Sequence, residues 1–145
     1  MAFLPSTGHF PSVSIGVMAS LTLTRGSLVK FDATAGYIEA AASNGTALFG
    51  VLAEDVTSSG TNGETKALVW PIEFNLAQKW VADTSGTPTE AQKGDIVKLE
   101  STTQVDEDSS GAGTAGVVLH SIQYPASGKK VIVSFDGNTF TTHSS

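Results

Sequence analysis

Two stretches of this chain, and three histidines outside them, hold residue types that could do chemistry. Gly111-Ala112-Gly113-Thr114-Ala115-Gly116 fits the glycine pattern that cradles a dinucleotide pyrophosphate. That pattern works only after a strand and at the opening of a helix, where free N–H groups face the phosphate. Here Asp106, Glu107 and Asp108 precede it and the apolar Val117-Val118-Leu119 follows. Carboxylates repel a pyrophosphate, so the glycines read as a turn. Asp106-Glu107-Asp108-Ser109-Ser110-Gly111 starts like a calcium loop, but the twelfth position, which needs a bidentate Glu, is Val117. A solvated acidic loop is expected. The three histidines, His9, His120 and His143, are scattered and form no H-x₃-H pair, and there is no G-x-S-x-G elbow. No catalytic residue, metal ligand or cofactor site is expected, and the chain does not read as an enzyme.

Adhesion is the chemistry the remaining side chains offer. Trp70-Pro71 and Trp80 are the only tryptophans and a neighbouring proline. Large aromatics bury much area and concentrate at interface hot spots. Trp70, Pro71 and Trp80 are therefore candidates for a subunit interface, with burial in the core as the alternative. Pro71 has no N–H to give a ladder, so its strand ends there or lies at an edge.

The bulk properties set limits. Eight Lys and Arg against 14 Asp and Glu give a net charge of −6 over 145 residues. That removes the cationic term behind most non-specific nucleic-acid affinity, so no nucleic-acid partner is expected. With no cysteine, disulfides and thiolate metal sites are excluded. No apolar run reaches the roughly 20 residues of a membrane span. No Lys or Arg precedes Arg25, so the basic start of a secretory signal is missing and a cytoplasmic product is expected. Asn44-Gly45-Thr46 then reads as a turn and not a glycan acceptor.

The elements that must hold these residues repeat. Arg25-Gly26-Ser27-Leu28-Val29-Lys30-Phe31-Asp32-Ala33-Thr34 is echoed 68 residues later by Lys93-Gly94-Asp95-Ile96-Val97-Lys98-Leu99-Glu100-Ser101-Thr102. Gly50-Val51-Leu52 returns as Gly116-Val117-Val118 at an offset of 66, and Lys66-Ala67-Leu68-Val69 as Lys130-Val131-Ile132-Val133 at 64. Three echoes in one order imply one module used twice. Short apolar strands between glycine turns make it all-β, a small barrel or sandwich with at most short helical turns. The expected layout is an extended N-terminal arm over 1–20, a first module over 21–80, a linker over 81–92 and a second module over 93–145. The arm carries Phe3, Leu4 and Phe10 and no formal charge, so it is expected to bury itself against either its own module or a neighbour. Strands are expected over 27–31 and 95–99, a bulge or close approach at Gly50 and a helical turn over 89–92.

The Gly-Ser/Asp-Leu/Ile-Val-Lys strand, the Gly-Val-Leu/Val strand and the Lys-Ala/Val-x-Val strand resemble those of the head decoration, or cement, proteins of tailed bacteriophages. The resemblance covers about 21–75, with a second copy over 93–135; the duplication departs from the shortest members. It implies a homotrimer on the outer capsid surface of a virion, clamping neighbouring major capsid proteins. On that reading Phe3, Leu4 and Phe10 grip the capsid. The alternative is a receptor- or carbohydrate-binding module of a virion fibre or tail. Removal of residues 2–18 is expected to leave a folded trimer that no longer binds heads, which sedimentation with heads would check.

Overall fold

A computed structural model describes residues 3–6, 10–41, 48–72, 78–99, 101, 103–110 and 116–135. The protein is all-β. The strands in chain order are β1 (Leu4–Pro5), β2 (Val13–Gly16), β3 (Thr22–Leu23), β4 (Leu28–Phe31), β5 (Ile38–Ala40), β6 (Leu48–Leu52) and β7 (Val56–Thr57). There follow β8 (Lys66–Pro71), β9 (Trp80–Thr84), β10 (Ile96–Leu99), β11 (Gln104–Ser110), β12 (Gly116–Ile122) and β13 (Lys130–Phe135). A 3₁₀ turn occupies Glu90–Gln92, where a helical turn was expected.

The strands form two rings of pairings. In the first, β2, β8, β6, β4 and β5 lie side by side, and a parallel bridge from Val17 to Ile38 returns to the start. In the second, β9, β13, β12, β10 and β11 follow the same order, and β11 pairs parallel with β9 to close it. The closing bonds match: Met18 N–H donates to Ile38 O at 2.9 Å, and Ser85 N–H to Val105 O at 3.0 Å. So do the corners. Gly26 (φ 89°) donates to Leu52 O, and Leu52 N–H to Ser27 O, at 2.7 and 2.9 Å. Gly94 (φ 87°) and Leu119 do the same with Asp95, also at 2.7 and 2.9 Å. Glycine is needed at both corners because an L side chain at such φ clashes with its own backbone. The expected strands over 27–31 and 95–99 thus lie in equivalent elements.

Three boundaries differ from expectation. First, the expected arm lies on its own module, one of the two placements open to it, and part of it is a barrel strand: β2, inside residues 1–20, pairs with β8 as β9 pairs with β13, and is the first strand of the first barrel. Second, the expected linker over 81–92 begins as strand β9. Both were hidden because Val13-Ser14-Ile15-Gly16-Val17 and Trp80-Val81-Ala82-Asp83-Thr84 share no residue at equivalent positions, and only the first alternates apolar with polar. Third, Gly50 sits opposite Val29 and its structural counterpart, opposite Val97, is Val117, so the 66-residue echo is one residue out of register. A bulge between Val29 and Lys30 separates the two ladders. Gly50 has the close approach expected of it, since a Cβ there would stand 2.5 Å from Trp70 O.

The interiors correspond side chain by side chain. Val17, Val29, Ile38, Leu52, Ala67 and Val69 are buried in the first barrel. Thr84, Val97, Val105, Leu119, Val131 and Val133 take the same places in the second, all buried. A second layer joins the barrels. Leu28, Leu48, Val51 and Ile72, from the first barrel, cluster with Trp80, Val97, Leu119 and Phe135 of the second. Leu28-Val29 and Val51-Leu52 are therefore buried on both strand faces and lack the period of two.

The N-terminal residues act as a strap across this junction. Phe3 N–H donates to Gly26 O at 3.0 Å, on the first barrel. Leu4 and Pro5 pair with Val81 and Trp80, on the second. Phe3 is fully buried, 5.6 Å from the Phe135 ring. We expect Phe3→Ala to cost about 3–5 kcal/mol in urea unfolding. Gly94→Ala should cost about 1–2 kcal/mol from its backbone alone, although a Cβ there meets nothing within 4 Å. Gly60→Ala, equally open and without a positive φ, serves as the control and should be nearly neutral.

Candidate functional site

The candidate residues from the arm and from the tryptophans, expected apart, converge on one aromatic seam at the junction. Phe10 packs edge-on to Trp80 at 4.8 Å between centroids and to Trp70 at 6.4 Å. The two indoles are 5.8 Å apart, and Phe135 lies 5.7 Å from Trp80. Tilted and edge-on rings place positive edges against negative faces, the favoured arrangement. Strand β9 delivers Trp80, the end of β8 delivers Trp70, and the chain after the strap delivers Phe10.

Burial sorts these residues. Phe3 and Trp80 are fully buried and Pro71 is buried. Phe3 therefore cannot act as an arm contact, nor Trp80 and Pro71 as an exposed interface: the physical reason is that the junction needs these side chains to exclude water. The β8 strand ends at Pro71, as expected of a residue with no N–H to give. Leu4, Phe10 and Trp70 are half-buried and keep an outward surface. The Arg25 guanidinium stands 5.3 Å from the Trp70 ring, a cation over a π face. Nothing in the sequence marked Arg25 for this; its one signal was membership of the repeat, where Lys93 takes its place and instead pairs with Glu90 at 2.9 Å.

The acidic run differs from the loop expected. Asp106 and Glu107 belong to strand β11, and Glu107 is 3% exposed. Its Oε1 accepts Gly86 N–H at 2.8 Å, and its carbonyl accepts the Gln92 side chain at 3.1 Å. Glu107 thus latches the turn after β9 to β11, a structural duty that a run of acids conceals in sequence. Among the described residues no group of three His, Asp or Glu could hold a metal ion. His120, on β12, is exposed and its Nε2 lies 2.7 Å from Ser134 Oγ. Desolvation, with the Lys79 charge nearby, holds its imidazole below the usual value. His9, His143 and residues 111–115 of the glycine run lie outside the described residues.

Two further features belong one to each barrel. In the second barrel Asp83 is 8% exposed and accepts Lys130 Nζ at 2.6 Å. Burial pushes the carboxyl up, but the hydrogen bond and charge of Lys130 act against it and the net shift is downward. On the first barrel β3 and β7 form a two-stranded ribbon. Beside it a groove of about 290 Å³ is lined by Thr22, Leu23, Thr24, Asp55, Val56 and Thr57. The second barrel replaces this ribbon with the 3₁₀ turn, whose Glu90 accepts the Tyr124 hydroxyl at 2.6 Å.

No protein-family model matches the chain, and no curated protein matches it. No helix among the described residues is long and apolar enough to cross a membrane.

The seam can bury area and hold a cation against a ring, which is the chemistry of adhesion. We expect Trp70→Ala to leave the fold intact while exposing the Trp80 pocket, seen as a red shift of the remaining tryptophan emission. Lys130→Met should cost about 1.5–3 kcal/mol at pH 7, the worth of a hydrogen bond to a charged group. Because the Asp83 pKa is lowered on folding, its contribution is present above the ordinary carboxylate range near pH 3.9. It is lost as pH falls through the lowered folded value. Urea unfolding at pH 7 and at pH 2 should therefore show the penalty of Lys130→Met shrinking in acid.

Proposed function

We propose that this chain is a structural decoration protein of a phage head. On this reading it binds the outer capsid surface as a homotrimer and stabilises contacts between major capsid subunits. The observation that carries the reading is the doubled corner. The stretches that resemble the cement proteins, around Gly26-Ser27-Leu28-Val29-Lys30 and Gly94-Asp95-Ile96-Val97-Lys98, build equivalent strands of two successive barrels. A fold spent twice on the same scaffold multiplies surface and not active sites.

The burial of Phe3 moves the grip away from a free arm. The half-buried rim of Leu4, Phe10 and Trp70, with Arg25 above it, is the contact surface that supports this reading. A trimer would present that rim three times, and multivalency can raise weak affinity by about 10²–10⁴.

The test is sedimentation of purified protein with expanded, undecorated heads, followed by heating of the decorated shells. Binding in multiples of three per site and a raised rupture temperature are expected. Absence of binding to heads, with capture on a glycan array, would overturn the reading in favour of a carbohydrate-binding module. Removal of residues 2–18, expected from the sequence to spare the fold, would instead take β2 from the first barrel and the strap from both, so it should lower the unfolding temperature itself.

A further inference from the structure

The two barrels differ at one edge, and the difference points outward. Strand β2 pairs with β8 so that Ser14 lies opposite Leu68. Leu68 directs both of its backbone groups away from β2: its N–H donates to Glu54 Oε2 and its carbonyl accepts Ala53 N–H, each at 2.8 Å. In an antiparallel ladder facing residues either exchange both bonds or neither. Ser14 therefore turns its own N–H and C=O away from β8. The alternation continues along the chain. Val17 N–H donates to Thr65 O on the β8 side, and Met18 N–H to Ile38 O on the opposite side, both at 2.9 Å.

In the second barrel the equivalent edge is occupied. Val81 stands where Ser14 stands, and it is paired with Leu4 of the strap. Lys79 stands where Ser12 stands, and its carbonyl accepts Ser6 N–H at 2.9 Å. Among the described residues nothing pairs with Ser12 or Ser14 along the matching edge of β2, and both residues are exposed. Phe3–Ser6 is already committed to β9, so this strap cannot cover both edges. An open pair of backbone groups beside a regular strand is the site that strand addition uses.

We propose that the outer edge of β2, at Ser12 and Ser14, is a strand-acceptor site for one extended, uncharged segment of a partner protein. The segment runs antiparallel to β2, as Phe3-Leu4-Pro5-Ser6 runs along β9, and gives one N–H to Ser12 O while exchanging bonds with Ser14. Its chemistry follows from that internal template and from the edge itself, where Ser12, Val13 and Ser14 carry no charge. Under the function proposed above, the segment belongs to the capsid subunit.

Ser14→Pro removes the outward N–H and leaves the β8 ladder untouched, since Ser14 makes no bond there; an edge position tolerates proline. Ser14→Val changes the side chain and keeps both backbone groups. In the head-binding assay, Ser14→Pro should bind about tenfold more weakly than wild type, and Ser14→Val like wild type. Circular dichroism on both variants checks that the fold is retained. A second arm uses no heads. The synthetic peptide of residues 2–8, at millimolar concentration, should shift the amide resonance of position 14 in the wild-type protein and in Ser14→Val. A folded Ser14→Pro that binds heads like wild type overturns the acceptor edge and leaves the function standing. Heads that bind no variant, with a Ser14 amide that still moves, overturn the function and leave the edge standing. An unmoved Ser14 amide in the absence of head binding overturns both.

Discussion

A row of five short strands closes into a ring only if the strand at one end also pairs with the strand at the other. Here that strand is the first of each barrel. Residues 13–16 run antiparallel to β8, and one residue later Val17 bridges in parallel to Ile38. Trp80–Thr84 does the same with β13 and β11. The remaining strands are joined by short turns or by the ordinary antiparallel ladder. Closure removes most of the free sheet edge, a hazard that small β proteins must otherwise manage with charge or proline. Among the described residues, part of the edge that remains is the half of each first strand ahead of its parallel bridge. In one barrel the strap covers it; in the other it is open.

Tandem barrels are not equal partners. The outer face of β4 and β6 lies under the second barrel, so Leu28 and Val51 are buried. Their counterparts Ile96 and Val118 are only half-buried. The first barrel thus provides a seat and the second sits in it, with Phe3, Phe10 and the two tryptophans filling the seam. Trp80 shows the cost: its indole nitrogen is buried and meets no acceptor among the described residues. Leaving such a donor unpaired costs about 1–3 kcal/mol, which the aromatic contacts around it must exceed.

The all-β character and the doubling were legible because they reside in turn glycines and in Val-Lys strands, where local backbone demands fix the residue type. Gly26 and Gly94 are the clearest examples. The equivalence of the first strands was not legible, because Val13-Ser14-Ile15 alternates and Trp80-Val81-Ala82 does not: Ser14 is exposed, whereas Val81 is half-buried beside Leu4 of the strap. The one-residue slip at Gly50 was equally hidden: Phe49 bulges in the first barrel and the second has no matching bulge, so similar letters align one step from where the backbones do. The aromatic site was half visible. Residue type singled out Phe3, Phe10, Trp70 and Trp80, but their burial and their meeting follow from contacts between residues far apart in the chain, Phe10 with Trp70 and Trp80 and Phe3 with Phe135. Glu107 misled for the same reason. A buried carboxylate that accepts a backbone N–H looks, in a string of acids, like a solvated one.

The strap also orders events in time. Its pairing partner for Leu4 is Val81, so the first described strand has nothing to bind until the chain has been made well past the first barrel. Closing so long a loop carries an entropy cost that grows only slowly with length, but it must wait for both ends to exist. On the ribosome the first barrel, with its own interior cluster, is able to form while Phe3 is still exposed. The second barrel and the strap then lock together. A stretch synthesised before the first barrel thus docks after it, and until then the nascent chain carries an exposed Phe3 that chaperones and proteases can reach.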